Sequence, residues 1–280
     1  MRAAPLRESV DSSGSADRVR AALLEIVRPS GYVKWEYFSR QWLLASGLLA
    51  SAAGPGGRVL DVGCGYGALS LSLSEETTSD IVAMDILSTR IDAVREAWAA
   101  RGRSAAGRLH LLVADAQRLP FRAATFDRVV ATEVLEHLDD PGHLFSEVHR
   151  VLRPQGQFLM TTPNAQALPY RLLRFLPDGM VRKLAASLTQ ESLHPELLHS
   201  GEEEGSRHPD RHRREGFTLP ELRAAAEDAG LRTIAGYTYR FPLPDRVMSM
   251  TPRALSRSLA RLGARPLPLG LQVFAKFARM

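Results

Sequence analysis

Apolar positions along this chain change their period at a sharp boundary. In residues 16–27, Val19, Leu23, Leu24 and Val27 recur at helical spacing, and Pro29 ends the run. Residues 33–53 repeat that period with Trp35, Phe38, Trp42, Leu43 and Leu49. These aromatics read as a helix packed on a core, with a lid over a substrate as the other reading. Gly54-Pro55-Gly56-Gly57 then breaks the chain. From Arg58 onward, short apolar runs alternate with helical stretches. Strands are expected at 58–62, 80–85, 109–114, 126–132 and 157–162, with helices at 68–75, 88–101 and 141–152. Ser88 is the expected N-cap of the second of these helices. Strands alternating with helices in this rhythm predict βαβ units and a parallel sheet.

Beyond Pro163 the rhythm stops. Residues 168–188 read as an amphipathic helical region broken near Pro177-Asp178-Gly179. Residues 192–215 are polar, rich in His, Glu and Arg, and are expected to form a mobile loop. The helix at 219–229 opens on Thr218 with Glu221 three residues on, the signature of a capping box. Final strands are expected at 231–241 and 271–277. The first 16 residues are polar, with Ser12, Ser13, Gly14 and Ser15 together, and read as a disordered leader. The organisation expected is therefore a leader (1–16), an N-terminal helical cap (17–57) and one domain (58–280) that carries a lid insertion at 165–216.

The first strand runs into Asp61-Val62-Gly63-Cys64-Gly65-Tyr66-Gly67 and then into a helix. Glycines allow backbone torsions closed to other residues and let a ligand approach the main chain. The following helix offers free N–H groups. The spacing also fits the dinucleotide fingerprint, but Asp61 argues against it. A carboxylate beside the glycines would repel a pyrophosphate and suits a ligand with a cationic group, such as the sulfonium and ammonium of S-adenosylmethionine. Asp85 ends the second strand, where a carboxylate can accept both ribose hydroxyls. Asp115 follows the third strand, can accept from an adenine amino group, and is followed by Leu119-Pro120-Phe121 as a candidate wall.

Composition narrows the class. The 280 residues are 45% apolar and 24% charged, which excludes wholesale disorder, collagen and coiled coil. One cysteine, Cys64, excludes an intrachain disulfide and a cysteine-based zinc cluster. No apolar run approaches the ~20 residues that span a bilayer, and no apolar stretch follows the first arginines as a secretory signal requires. A soluble, cytoplasmic protein is expected. Of 36 basic residues only Lys34, Lys183 and Lys276 are lysines. Residues 240–280 hold eight basic side chains against one acid, Asp245. A nucleic-acid binder would add a recognisable motif; none is present, so no nucleic-acid partner is expected.

On these residues the chain resembles the class I S-adenosylmethionine-dependent methyltransferases of the small-molecule, ubiquinone-methyltransferase-like group (types 11 and 12). Val59 through Gly67 is similar to that family's first motif. Asp85, Asp115-Ala116 and the stretch from Phe126-Asp127 to Leu138 resemble its later ones. Leu152-Arg153-Pro154-Gln155-Gly156-Gln157 looks like the turn before its fifth strand, with Gln157 where a second glycine is usual. The resemblance implies an α/β, Rossmann-like fold: a seven-stranded, mostly parallel sheet with helices on both faces, N-terminal helices and a helical lid after strand five. It implies S-adenosyl-L-methionine as cofactor and a small, lipophilic or natural-product-like molecule as acceptor. Gly63, Gly65 and Gly67 would line the methionine part, and Asp61 would hold its ammonium, directly or through water. Asp85 would take the ribose, Ile86 would cover the adenine, and Asp115 with Ala116 would bind the adenine edge. Thr132 and Glu133 would lie near the methionine and the acceptor.

His137 is the candidate catalytic base, because an imidazole titrating near 6.5 can accept a hydroxyl proton at neutral pH. A cap for the helix that follows is its other reading. The base motivates methylation at oxygen. Glu133, Glu136, His137 and His212 resemble a metal quartet of RNA 2′-O-methyltransferases, which makes a metal-dependent RNA enzyme one alternative. The same string occurs in metal-free relatives, so no metal is expected. A protein that binds the cofactor without transferring is the other alternative. His194, His199 and His208 read as solvated. Residues 168–188 carry Arg171, Arg174, Arg182 and Lys183 among their apolar positions, so peripheral contact with an anionic membrane is a secondary expectation beside an ordinary lid. Oligomeric state is not readable from the sequence.

Overall fold

The computed structural model describes residues 57–100, 108–168, 216–240 and 266–280, and the single positions Arg171, Leu255 and Leu262. The leader, both N-terminal helices, nearly all of the lid insertion and His194, His199, His208 and His212 lie outside the described residues. The order is β1 (Arg58–Val62), α1 (Ala68–Glu76), β2 (Asp80–Asp85), α2 (Ser88–Ala100), β3 (Arg108–Val113) and β4 (Phe126–Thr132). A 3₁₀ turn (Leu135–His137), α3 (Pro141–Val151), β5 (Leu152–Pro163), α4 (Leu219–Asp228), β6 (Leu231–Tyr239) and β7 (Gln272–Arg279) follow.

The seven strands form one sheet in the order β3-β2-β1-β4-β5-β7-β6. Strands β1 to β5 are parallel, and β7 runs antiparallel between β5 and β6. Central parallel strands are covered on both faces, which is why they read as largely apolar runs. Leu60, Val62, Val129 and Ala131 are fully buried. On one face Phe145 of α3 meets Phe158 of β5 and Phe277 of β7 edge-on, at 5.8 and 5.9 Å between ring centroids. Such pairs add about 0.5–1.5 kcal/mol to the burial of their area.

Three local expectations shift. Ser88 is the first helical residue of α2 rather than its cap, because the carbonyl of Leu87 accepts from the amides of Arg90 and Ile91. Strand five begins at Leu152, five residues early: Leu152 pairs with Phe126, and after an irregularity Gln157 pairs with Arg128. The irregularity is held by Arg153, whose Nη1 donates to both oxygens of Asp127 at 2.8 and 2.9 Å. The Leu119-Pro120-Phe121 segment turns inward, with Leu119 buried and Phe121 edge-on to Phe126 at 4.9 Å.

That segment is clipped to α3 by two side chains. Arg150 donates to the carbonyls of Phe121 and Leu119 at 2.6 and 2.8 Å and to both oxygens of Glu147. Glu147 in turn accepts from the amide of Leu119 at 2.8 Å. The Arg150 hydrogen bond holds the Glu147 carboxyl below its ordinary value. Arg150→Leu strands two carbonyls and a carboxylate and is expected to destabilise the protein by about 2–3 kcal/mol in denaturant titration. A group with a depressed folded pKa stabilises above its unfolded value and loses that contribution as pH falls through the folded one. The gap between wild type and variant should therefore narrow in acid.

Candidate functional site

The strand order reverses between β1 and β4, and ligands of open α/β sheets bind outside the carboxyl ends of strands at such a point. A cleft lies there. Its apolar half encloses about 800 Å³, counted to the open mouth, and is lined by Gly63, Met84, Asp85, Ile86, Leu87, Arg90, Ala114, Asp115, Ala116, Glu133, Val134, His137 and Leu138. A second, acidic half of about 490 Å³ is lined by Asp61, Gly63, Cys64, Gly65, Leu69, Arg90, Thr132 and Glu133. These sizes suit a small-molecule site. Gly63, Arg90 and Glu133 line both halves and mark their junction.

Ten of the eleven site residues expected from the sequence therefore meet in one cleft. Gly67 is the exception. It caps α1 in a left-handed conformation against Val94 and touches neither half. The Leu119-Pro120-Phe121 wall is also absent from the lining; Met84, Leu87, Val134 and Leu138 supply the apolar surface instead.

Asp61 is 3% exposed and accepts one hydrogen bond, from Ser70 Oγ of α1 at 2.6 Å. Burial pushes its carboxyl up to about 7; the Ser70 bond opposes this and the nearby Asp85 charge adds to it. Asp85 is 2% exposed, and its oxygens accept from the amides of Gly65 and Leu87 at 3.0 Å each. Arg90 Nη1 lies 3.5 Å from the same carboxylate. Asp115 folds back onto the amide of Gln117 at 2.8 Å, fixing the loop after β3. Cys64 is buried, and burial together with the Asp61 and Asp85 charges pushes its thiol far up, so it is no nucleophile.

At the end of β4, Glu133 adopts a left-handed backbone with φ of 53°. Its carboxylate accepts from Thr161 Oγ1 at 3.0 Å and from Gln272 Nε2 at 2.9 Å. Glu136, 1% exposed, accepts from Thr162 Oγ1 at 3.0 Å. Thr161 and Thr162 are neighbours on a strand and leave it on opposite faces, so the two glutamates do not converge. Among the described residues no group of three His, Cys, Asp or Glu side chains is placed to hold a metal. His137 ends the 3₁₀ turn and faces the apolar half. It does not cap α3; Asp140 does, accepting from the Gly142 amide at 2.9 Å. Arg90, Ser70, Thr161 and Gln272 were not expected here. Their contacts join positions too far apart for any periodicity to reveal.

Residues 60–160 match the family described as the methyltransferase domain. An O-methyltransferase of Pyrenophora dematioidea is 34% identical over 36% of this chain and 37% of its own length. The malonyl-[acyl-carrier protein] O-methyltransferase of Geobacter sulfurreducens is 34% identical over 63% of this chain and 56% of its own. The ubiquinone/menaquinone biosynthesis C-methyltransferase of Desulfotalea psychrophila is 30% identical over 46% and 51%. The matched stretch thus spans about a third to just over half of these relatives. In fold, the chain is similar to a SAM-dependent methyltransferase of Methanosarcina mazei, with a TM-score of 0.54 and 19% identity over 83% of this chain and 97% of that one. A SAM-dependent methyltransferase of Aquifex aeolicus gives a TM-score of 0.52 and 16% identity over 92% and 97%. No helix among the described residues is long and apolar enough to cross a membrane.

Proposed function

We propose that this chain, whose residues 60–160 match the methyltransferase domain family, moves a methyl group from S-adenosyl-L-methionine to a small molecule, with oxygen as the acceptor atom. The observation that carries the reading is Asp61. A buried carboxylate that lines a cleft, takes one neutral hydrogen bond and belongs to no ion pair of the described residues is set to receive a cation. The cofactor's ammonium meets that need, and a pyrophosphate would aggravate it.

The rest of the cleft fits the same molecule. Gly63 and Gly65 would lie along the methionine part, with Asp61 on its ammonium and Thr132 beside it. Asp85 keeps lone pairs for the ribose hydroxyls while two amides hold it in place. Ile86 would cover the adenine, and Asp115 with Ala116 would meet its edge. When bound, the cofactor supplies an electrophilic methyl group on a sulfonium that departs as a neutral thioether. No acid is therefore required of the protein, and its work is alignment and exclusion of water, a mechanism that can be worth roughly 7–11 kcal/mol. His137 would take the proton of an acceptor hydroxyl.

Incubation with methyl-labelled cofactor and fractionated cell extract, followed by mass identification, tests the reading. Label should enter a small molecule as an O-methyl group. Label in no fraction would leave a cofactor-binding protein without transfer. Label in RNA, lost on chelation, would support the metal-dependent RNA enzyme instead. With the acceptor in hand, His137→Gln should lower turnover about 100-fold. Unchanged turnover at every pH would remove the base from the mechanism.

A further inference from the structure

We propose that Gln272 is a positioning residue that, with Thr161, fixes the Glu133 carboxylate at the junction of the two halves of the cleft, where it favours the positively charged cofactor over its neutral thioether product. This rests on the S-adenosylmethionine reading given above. The sulfonium is the atom that joins the cofactor's adenosine to its amino-acid part. The residues shared by the two halves of the cleft would therefore lie nearest to it. They are Gly63, Arg90 and Glu133. Arg90 lies against Asp85 at 3.5 Å, which leaves Glu133 as the acidic group facing the junction.

Glu133 is held there at a cost. A non-glycine residue with φ of 53° lies in the left-handed region and is strained. Contacts with Thr161 and Gln272 fix it. Its amide donates to the Thr161 carbonyl at 3.0 Å, and its two carboxylate oxygens accept separately from Thr161 Oγ1 and Gln272 Nε2. Gln272 opens β7, opposite Pro163 of β5, and comes 139 residues after Glu133. It is 3% exposed in a strand otherwise packed with Val273, Phe274, Ala275 and Phe277. Its own carbonyl oxygen is shielded and meets no donor among the described residues. A buried glutamine with one polar atom unsatisfied is poor packing chemistry. The Nε2 bond to Glu133 accounts for its presence.

The test compares S-adenosylmethionine with S-adenosylhomocysteine by calorimetry in wild type, Q272L, T161V, E133Q and the double variant E133Q/Q272L. Thermal melts confirm that each is folded. Wild type should favour the sulfonium. Q272L should weaken S-adenosylmethionine about tenfold and the thioether less than about threefold, within the range of measured couplings between neighbouring residues. T161V should act in the same direction. In the E133Q background, Q272L should change neither affinity by more than about twofold. Equal losses for both ligands, or the same loss with and without Glu133, would reduce Gln272 to a packing residue and overturn the proposal. If wild type binds neither ligand, the cofactor reading itself fails before any variant is compared.

Discussion

Affinity for S-adenosylmethionine should fall about tenfold for each pH unit below about 7 and level off above it. The reason is Asp61. In the free protein its carboxyl is pushed up to about 7, chiefly by burial, and only the ionised form can hold the cofactor's ammonium. Asp61→Asn keeps the shape and the Ser70 contact but removes the charge. It should lower affinity by about 3–5 kcal/mol, the cost of leaving one partner of a buried pair alone, and abolish the pH dependence. Stability should move the other way. A carboxyl whose folded pKa is raised holds more protons folded than unfolded, so the ligand-free protein loses stability as pH rises from about 4 to about 7. Asp61→Asn should accordingly melt higher than wild type at pH 8. An affinity that stays flat from pH 5.5 to 8.5 would remove Asp61 from the cation site.

A single methyl group in the glycine turn should separate folding from cofactor binding. Gly65 has φ of 54°, and a Cβ built on it meets no heavy atom within 4 Å. Gly65 also lines the acidic half of the cleft. Gly65→Ala should thus cost only backbone strain, about 1–2 kcal/mol, while its methyl occupies cofactor space and lowers affinity at least 100-fold, about 2.7 kcal/mol at 1.36 kcal/mol per factor of ten. Gly63→Ala should behave differently. Its Cβ would lie 2.5 Å from Val134 Cγ2 and force that side chain to move, so stability and affinity should fall together. Chemical denaturation and calorimetry on the two variants check the contrast. Equal stability losses, or a Gly65→Ala protein that binds normally, would misplace the cofactor.

Much of this was legible in the sequence. The bounds of β1, β2 and β4 were readable to the residue because each central strand is an apolar run that ends on, or just before, a polar turn. The capping box of α4 was readable because Thr218 and Glu221 satisfy each other's amides locally, at 3.3 and 2.8 Å. The site acids were readable because a parallel sheet delivers the ends of successive strands to one edge. The remainder depended on contacts across the chain. The early start of β5 follows from the Asp127 to Arg153 pair, 26 residues apart. Gln272 reaches Glu133 only because β7 inserts antiparallel between β5 and β6. Arg90 meets Asp85 across a turn that no helical spacing of α2 marks. Even the glycines differ: Gly65 faces the cleft and Gly67 faces Val94, a difference no spacing encodes.

The central claim is that this cleft is built for a cationic nucleoside rather than a dinucleotide. Calorimetric titration of the wild-type chain with S-adenosylmethionine and, separately, with NAD at pH 8 tests it most directly. Saturable one-site binding of S-adenosylmethionine, with no heat from NAD, is the predicted result. Binding of NAD, or no binding of S-adenosylmethionine, would contradict it.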